Sequence, residues 1–431
     1  MAKMRIGDLF ELEKGLLQSS KCTEGKFDFI TASKEWKTHN EYSHNTEALV
    51  FAAMASGSLG RTHYVNGKFI SSDLCYIMTP KDSNTYPIDL KFYHFVFNSL
   101  KDEIVKNTKS GTSKEAINQT NLKNYVIPYF DIEQQHLWIK KLVSTREIKK
   151  ELVSEIVNQQ KLLKKFRQSI LQDAIEGKLT VSWRKQNTKI ESASVLLEKI
   201  KTEKEQLVKE KKIKKLKPLP LISEDEMAFD IPNSWEWCKL GDIVKSYQNG
   251  ISKRNGTGDS VIVLRLADIK DYKVDLSDTR TIDLTLKEQE KYVLAEDDIL
   301  ITRVNGSVDI VGNFNRIGKQ NVFLAYCDHF IRLNFINKYI SSKFIEKLEK
   351  TNLIRNVIKK EFKTTSGQKT INQGHISNLA IPLPPLEEQQ EIVNRIENLF
   401  KVCDELETKI NSSKINSETL MLAVLKEAFE Q

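Results

Sequence analysis

Residues 117–135, INQTNLKNYVIPYFDIEQQ, return as residues 371–390, INQGHISNLAIPLPPLEEQQ, and this pair of stretches decides the architecture. Ile117 falls on Ile371 and Gln135 on Gln389, a constant offset of 254. The same offset carries SILQDAIEG, from Ser169, onto AVLKEAFEQ at the end of the chain, so residues 117–177 align without a gap on 371–431. Upstream the likeness continues with looser spacing. MRIGDLFELEKG, from Met4, pairs with CKLGDIVKSYQNG, from Cys238, at an offset of 234, and EALVFAAMASGSLG, from Glu47, resembles DDILITRVNGSVDIVG, from Asp297. The second copy therefore carries about 20 extra residues in its variable part. The chain is a tandem duplication of one unit, a globular domain followed by a helix. Similar frames around dissimilar interiors suit the reading of two different things, and a pseudo-twofold chain suits duplex DNA, whose backbone has its own dyad.

The helix of each unit is written in its apolar spacing. Ile132, Ile139, Leu142, Val153, Ile156, Leu163, Ile170 and Ala174 follow an alternating three-four pattern, and Leu386, Val393, Ile396, Phe400, Ile410, Met421, Val424 and Ala428 follow it in the second copy. No glycine or proline interrupts either run, and Pro382, Pro384 and Pro385 stand where the second helix begins. Such a seam needs a partner, and the other copy is the natural one, which predicts two long antiparallel, coiled-coil-like helices. Each would run about 65 Å at 1.5 Å per residue. That is on the order of 19 base pairs at 3.4 Å each, before overlap and tilt shorten the span. The pair is either a plain stabilising hairpin or also a ruler that separates two readers.

After Gly177 a charged helix is expected over ASVLLEKIKTEKEQLVKEKKIKK, then an extended, proline-containing linker. Its lysines are either a solvated helix face or phosphate contacts. The globular parts mix β-branched runs, such as VIVLRLADI from Val261 and DILITRV from Asp298, with helical stretches at KFYHFVFNSL and YISSKFIEKLEK. The expected class is α+β, with domains at 1–130 and, including the linker, 218–382. Helical spacers are expected at 131–217 and 383–431.

Composition narrows the function. A hydrophobic fraction of 40% is enough for buried cores, and the formal charge of +8 with pI ≈ 8.9 fits a nucleic-acid partner. Cys22, Cys75, Cys238, Cys327 and Cys403 are odd in number and never in a C-x-x-C pair, which points to neither disulfides nor zinc and to a reducing, cytoplasmic setting. No signal peptide or membrane span is expected. Methyltransferase signatures are absent, GNFNRIGKQ from Gly312 fails as a nucleotide loop, and the histidines show no metal spacing. The expectation is no catalytic residue and no metal.

Binding chemistry remains. Two loops at equivalent positions, KSGTSKEAINQ and KTTSGQKTINQ, offer hydroxyls, backbone N–H groups and cations before a helix start. They contribute Lys109, Ser110, Thr112, Ser113 and Lys114, and Lys363, Thr364, Thr365, Ser366, Gln368 and Lys369, as phosphate-contact or simple capping residues. Candidates for base edges are Lys34, Lys37, Asn40 and Arg61 in the first half, and Arg254, Arg265, Arg303, Asn305 and Arg316 in the second.

Three further segments carry a family resemblance. LAIPLPPLEEQQEIVNRIENLF from Leu379 resembles the signature that follows each target-recognition domain in specificity subunits of type I restriction-modification enzymes. FDIPNSWEWCKLGDIV from Phe229 resembles the approach to their second recognition domain, and KFRQSILQDAIEGKLT from Lys165, with the lysine-rich helix, resembles their central spacer. The resemblance implies two target-recognition domains, each reading half of a bipartite, asymmetric site in double-stranded DNA. It implies two methyltransferase subunits using S-adenosylmethionine, and restriction subunits using ATP and Mg, with none of these cofactors on this chain. In the first half the Ile-Pro-x-x-Trp lead-in is missing, and Asp131 stands where the second has Pro385. Competing readings are a specificity subunit serving a fused methyltransferase-nuclease, a coiled-coil adaptor that does not touch DNA, and a self-sufficient nuclease.

Overall fold

The computed structural model describes residues 2–54, 57–110, 115–270, 272–361, 363–365 and 368–430, with backbone alone at 363–365, 421–422, 425–426 and 428–430. The chain forms two compact units, Met1–Gln159 with Lys409–Gln431, and Gln160–Thr408. Two long helices, Ile132–Ile175 and Leu386–Glu430, each contribute to both units.

In the first unit six strands form one sheet in the order Phe10–Lys14, Cys75–Pro80, His44–Ala52, Thr62–Ser71, Phe27–Ile30, Lys37–His39. All pairs are antiparallel except Phe27–Ile30 with Thr62–Ser71. The central strand is apolar on both faces because both are covered. Leu49 and Phe51 enter one core, with Phe92, Tyr93, Phe97, Trp138 and Leu142, while Ala48, Val50 and Ala52 enter another, with Val65, Phe69 and Ile77.

The second unit repeats this order with one break. Val244–Asn249, Phe330–Phe335, Ile299–Thr302 and Phe314–Arg316 form one sheet, and Leu324–Tyr326, Asp259–Leu264 and Thr281–Leu284 form another, again with one parallel pair. Where the first unit has the continuous strand Thr62–Ser71, the second has two short strands around residues 317–323. The extra length of the second copy sits in two connections: residues 265–280 stand for 31–36, and residues 285–298 stand for 40–43.

The helices pair antiparallel within each unit. In the first, Lys141 Nζ meets Glu427 Oε1 at 2.7 Å and Lys149 Nζ donates to Glu418 O at 3.2 Å. In the second, the Arg167 guanidinium contacts Asp404 and Glu407 and lies 5.2 Å from the Phe400 ring centroid. Along the expected seam, Leu142, Ile156 and Ile410 are buried and Ile139 and Val424 half-buried in the first unit, where the side chains of Met421 and Ala428 lie outside the described residues. Ile170, Val393 and Ile396 are buried and Leu163 and Phe400 half-buried in the second. Val153 departs from it at 43% exposure, because it falls on the flank of the line set by Leu142, Ile156, Leu163 and Ile170.

The linker helix is shorter than its lysine run suggested. It spans Ala193–Lys209 and buries Ala193, Leu196 and Ile200 in the core of the second unit. Lys211 then takes a left-handed φ of 59°, which no helix continues through. The FDIPNSWEW lead-in ends on a short strand, Glu236–Lys239, paired with Ala380–Leu383; Ala2–Arg5 and Val126–Tyr129 are its counterpart. Trp235 of the lead-in donates from Nε1 to buried Glu388 at 2.8 Å, beside Thr180 and Arg184, which bond the same carboxylate. No helix among the described residues is long and apolar enough to cross a membrane.

Candidate nucleic-acid interface

In both units the chain leaving the central strand closes through a left-handed glycine. Gly60 (φ +77°) donates to Ala52 O, and Gly312 (φ +78°) to Thr302 O, each at 2.8 Å. A hairpin then docks against the start of each loop: Ile117 N donates to Ala53 O at 2.8 Å, and Ile371 N to Arg303 O at 3.0 Å. The described parts of the two loops flagged by sequence, 109–119 and 363–373, thus meet the glycine-closed loop at equivalent positions, Ile117 and Ile371, in each unit.

In the second unit this brings candidates together. Val304–Asn305 pairs with Gln368–Thr370, which pairs with Lys363–Thr365, so Asn305 is opposite Lys369. Lys369 Nζ donates to Gly306 O at 2.9 Å, and Gln368 is exposed. In the first, Lys109–Ser110 pairs with Ala116–Ile117, and Lys109 Nζ lies 2.6 Å from Glu115 Oε1. Thr112, Ser113, Lys114 and Ser366 lie outside the described residues, as do the side chains of Lys363, Thr364 and Thr365.

The remaining candidates divide by what holds them. Lys34 and Lys37 are exposed at the turn between Phe27–Ile30 and Lys37–His39, whereas Asn40 is exposed beyond the other end of Lys37–His39, its N–H donating to Thr23 O at 3.1 Å. Arg61 braces that turn from beneath, with Nη1 donating to Ala32 O at 2.8 Å and to Ser58 Oγ at 3.2 Å. Sequence reasoning passed over Trp36 as a surface contact. It sits between Lys34 and Lys37, 38% exposed, with Nε1 donating to His63 Nδ1 at 3.1 Å. Burial holds the His63 pKa below its ordinary value, so the ring stays neutral at pH 7. The aromatic between two lysines in KEWK was the available signal.

Arg254 is exposed. Arg265 grips buried Asp268 through Nε and Nη2, at 3.1 and 2.7 Å. Arg316 Nη1 bonds Asp297 Oδ1 at 2.9 Å, and Arg303 Nη1 reaches Asp328 O at 3.4 Å. Asn305 Oδ1 accepts from Ser307 N at 2.9 Å, which fixes a turn. These bonds make Arg265 and Arg316 brace residues of the second domain.

Among the described residues, one trio approaches metal-ligand spacing: Cys327, Asp328 and His329. Burial pushes the Cys327 thiol up, away from the thiolate a metal needs. Large apolar side chains are exposed on the long helices in both units, Ile148, Val157 and Ile415 in the first, and Leu162, Phe166 and Val402 in the second.

Comparison with known proteins gives one family. The model described as the type I restriction modification DNA specificity domain matches residues 1–160 and 232–413. The chain is 29% identical over 337 residues to the type I restriction enzyme StySPI specificity subunit of Salmonella potsdam, covering 78% of this chain but 64% of that one. It is 26% identical over 435 residues to the EcoKI specificity subunit of Escherichia coli K12, covering 96% and 81%. The HsdS subunit from Thermoanaerobacter tengcongensis shares the fold at a TM-score of 0.57 and 16% identity, over 99% of this chain and 96% of that one.

Proposed function

The chain belongs to the type I restriction-modification DNA specificity family, and from that premise we propose that it is the non-catalytic, sequence-reading subunit of such a complex. Each domain reads one half of a bipartite, asymmetric target in double-stranded DNA. The observation that carries this reading is the repeated loop pair: a glycine-closed loop and a hairpin meet at the same place in both units, on matching frames. Elsewhere the units differ: residues 265–280 and 285–298 have only short counterparts in the first unit. One scaffold carrying two different loop sets is what two different half-sites require.

The long helices set the distance between the half-sites, and their exposed apolar side chains dock two methyltransferase subunits. S-adenosylmethionine belongs to those subunits, and ATP with Mg to the restriction subunits that complete the complex. The adaptor reading does not account for the loop pair, since a helical adaptor has no use for two differently furnished domains.

The test is co-expression with the neighbouring methyltransferase gene and mapping of methylated adenine in host DNA. A split motif, methylated on both strands and lost on deleting this chain, is expected. Replacing residues 1–130 by the equivalent domain of a relative should change one half of the motif. No motif dependent on this chain, or both halves changing together, would overturn the reading.

A further inference from the structure

The lysines that end the linker helix do not radiate into solvent from a straight helical face. The helix stops at Lys209, the backbone reverses at Lys211, and residues 212–222 return along the second unit. The return is pinned. Leu219 packs on Gly241, with its Cδ1 2.6 Å from where a Cβ on that glycine would stand, and Glu226 bonds the Lys239 ammonium. On the helix side Lys204 Nζ donates to Gly241 O and Asp242 O, both at 2.9 Å. The helix, the returning segment and the strand Val244–Asn249 enclose a groove of about 2000 Å³.

Cations are frequent along this groove. Residues 209–217, KEKKIKKLK, hold six lysines and one glutamate, and that glutamate pairs with Lys212 at 2.8 Å. Lys214, Lys215 and Lys217 line the groove from the returning side, Lys209 from the end of the helix and Lys245 from the strand; none of these five ammonium groups has a hydrogen bond or ion pair among the described residues. The strand wall is amide-bearing, with Gln373 Nε2 donating to Asn249 Oδ1 at 2.8 Å beside Gln248. Glu198, Glu205, Glu236, Asp242, Glu290 and Asp298 also line the groove, outside the 209–217 segment.

We propose that this segment of the groove binds the phosphate backbone of duplex DNA outside the bases that the domains read. The proposal rests on the DNA-reading function above and adds to it a contact made by the linker. Unpaired ammonium groups on long, flexible stems suit a line of phosphates better than base edges, which need donors and acceptors in fixed planes. The contact therefore contributes affinity and no sequence preference. It also gives the lysine run a role: the reversal at Lys211 turns Lys214, Lys215 and Lys217 back onto the groove that Lys209 lines.

The experiment uses the full chain with its methyltransferase partner, bound to a duplex carrying the mapped target and to one lacking it, over a salt series. The variant replaces Lys209, Lys214, Lys215 and Lys217 with Ser; a second keeps charge with Lys→Arg at the same positions. In the Ser variant, affinity for both duplexes should fall by a similar factor, on the order of tenfold or more near 0.1 M salt, and the slope of log K against log salt should shrink by about 0.9 per lost contact. The target-to-nontarget ratio should hold, and the Arg variant should keep the wild-type slope. An unchanged slope and affinity in the Ser variant, with the wild type still selecting its target, would overturn the proposal and leave the function standing. Weaker assembly with the methyltransferase at an unchanged slope would overturn it in favour of an acidic protein partner. A wild-type complex with no salt-dependent duplex binding would overturn both.

Discussion

Gln135 and Gln389 make two equivalent bonds in the two units, and Gln135 a third. The Gln135 Oε1 accepts from the backbone N–H of Asp89 at 2.7 Å, and its Nε2 donates to Phe130 O at 2.7 Å and Pro87 O at 2.9 Å. The Gln389 Oε1 accepts from Ser341 N at 2.9 Å, and its Nε2 donates to Pro384 O at 3.0 Å. Asp89 and Ser341 are the N-caps of the domain helices Leu90–Ser99 and Ser342–Glu349, and both glutamines are fully buried. Each amide thus ties the first turn of a long helix to the cap of a helix in its own domain, which is why a glutamine stands there in both copies.

Replacing either glutamine with Ala strands buried backbone groups on both sides of that tie. Each stranded group costs about 1–3 kcal/mol, so a loss on the order of 2–4 kcal/mol in the unit concerned is expected. Urea titration reads the loss. Hydrogen exchange locates it, with the Asp89 amide losing protection in Gln135→Ala and the Ser341 amide in Gln389→Ala. Uniform loss across both units would show that the tie is not local.

Glu349 gives the second unit a pH dependence of a definite sign. It is almost fully buried, bonded to Arg355 at 2.9 Å, and burial raises its pKa from 4.5 to about 6 against the pull of Arg355 and Lys350. The folded form then holds a proton that the unfolded chain has released between those values. Its contribution is present in full below pH 4.5 and is lost as pH rises to 6, on the order of 2 kcal/mol. Carboxylates whose pKa is lowered, such as Glu226, act in the opposite direction, so the difference between wild type and Glu349→Gln is the quantity to follow. Between pH 4.5 and 6.5 wild type should lose about 1–2 kcal/mol of unfolding free energy relative to Glu349→Gln, read by urea titration of both at each pH; a wild-type-to-variant difference that does not change with pH would show that Glu349 does not titrate in this range.

Much of this fold was legible in the sequence because the repeat fixes it twice. Leu142 and Ile396, or Ile156 and Ile410, mark one seam from two copies, and the Pro384–Pro385 pair marks a helix start to the residue. The candidate site was legible in its loops and not in its side-chain bonds. Arg61 and Arg316 look like free cations in sequence, since their acceptors, Ala32 and Asp297, lie 29 and 19 positions away. The return of residues 212–222 was hidden for a different reason: lysine favours helix, and nothing local announces that Lys211 takes a positive φ.

Arg265 separates a brace from a reader. Asp268 is 3% exposed and takes both the guanidinium and the Arg265 backbone N–H, so Arg265→Ala leaves a buried carboxylate with one partner fewer. A loss of stability in the second unit is expected, because Asp268 keeps only the backbone N–H as a partner. Relative preference among second half-site sequences should hold in molecules that remain folded. Altered preference at one base position with unchanged stability would make Arg265 a base contact instead.

The ruler role of the helices is tested best where the units divide. An insertion near the start of the second long helix would disrupt the second unit's core, where Ile392, Val393 and Ile396 are within 3% of full burial. The division falls after Gln159 and after Thr408, and Gln159 and Lys409 are exposed. Four residues added at both points lengthen each helix by about 6 Å at 1.5 Å per residue. Extending both together keeps the two halves of the seam in step. The gap between half-sites in the methylated motif should then widen, by at most about two base pairs at 3.4 Å each, with the bases of both half-sites unchanged. An unchanged gap in an active complex would mean that something other than these helices sets the spacing.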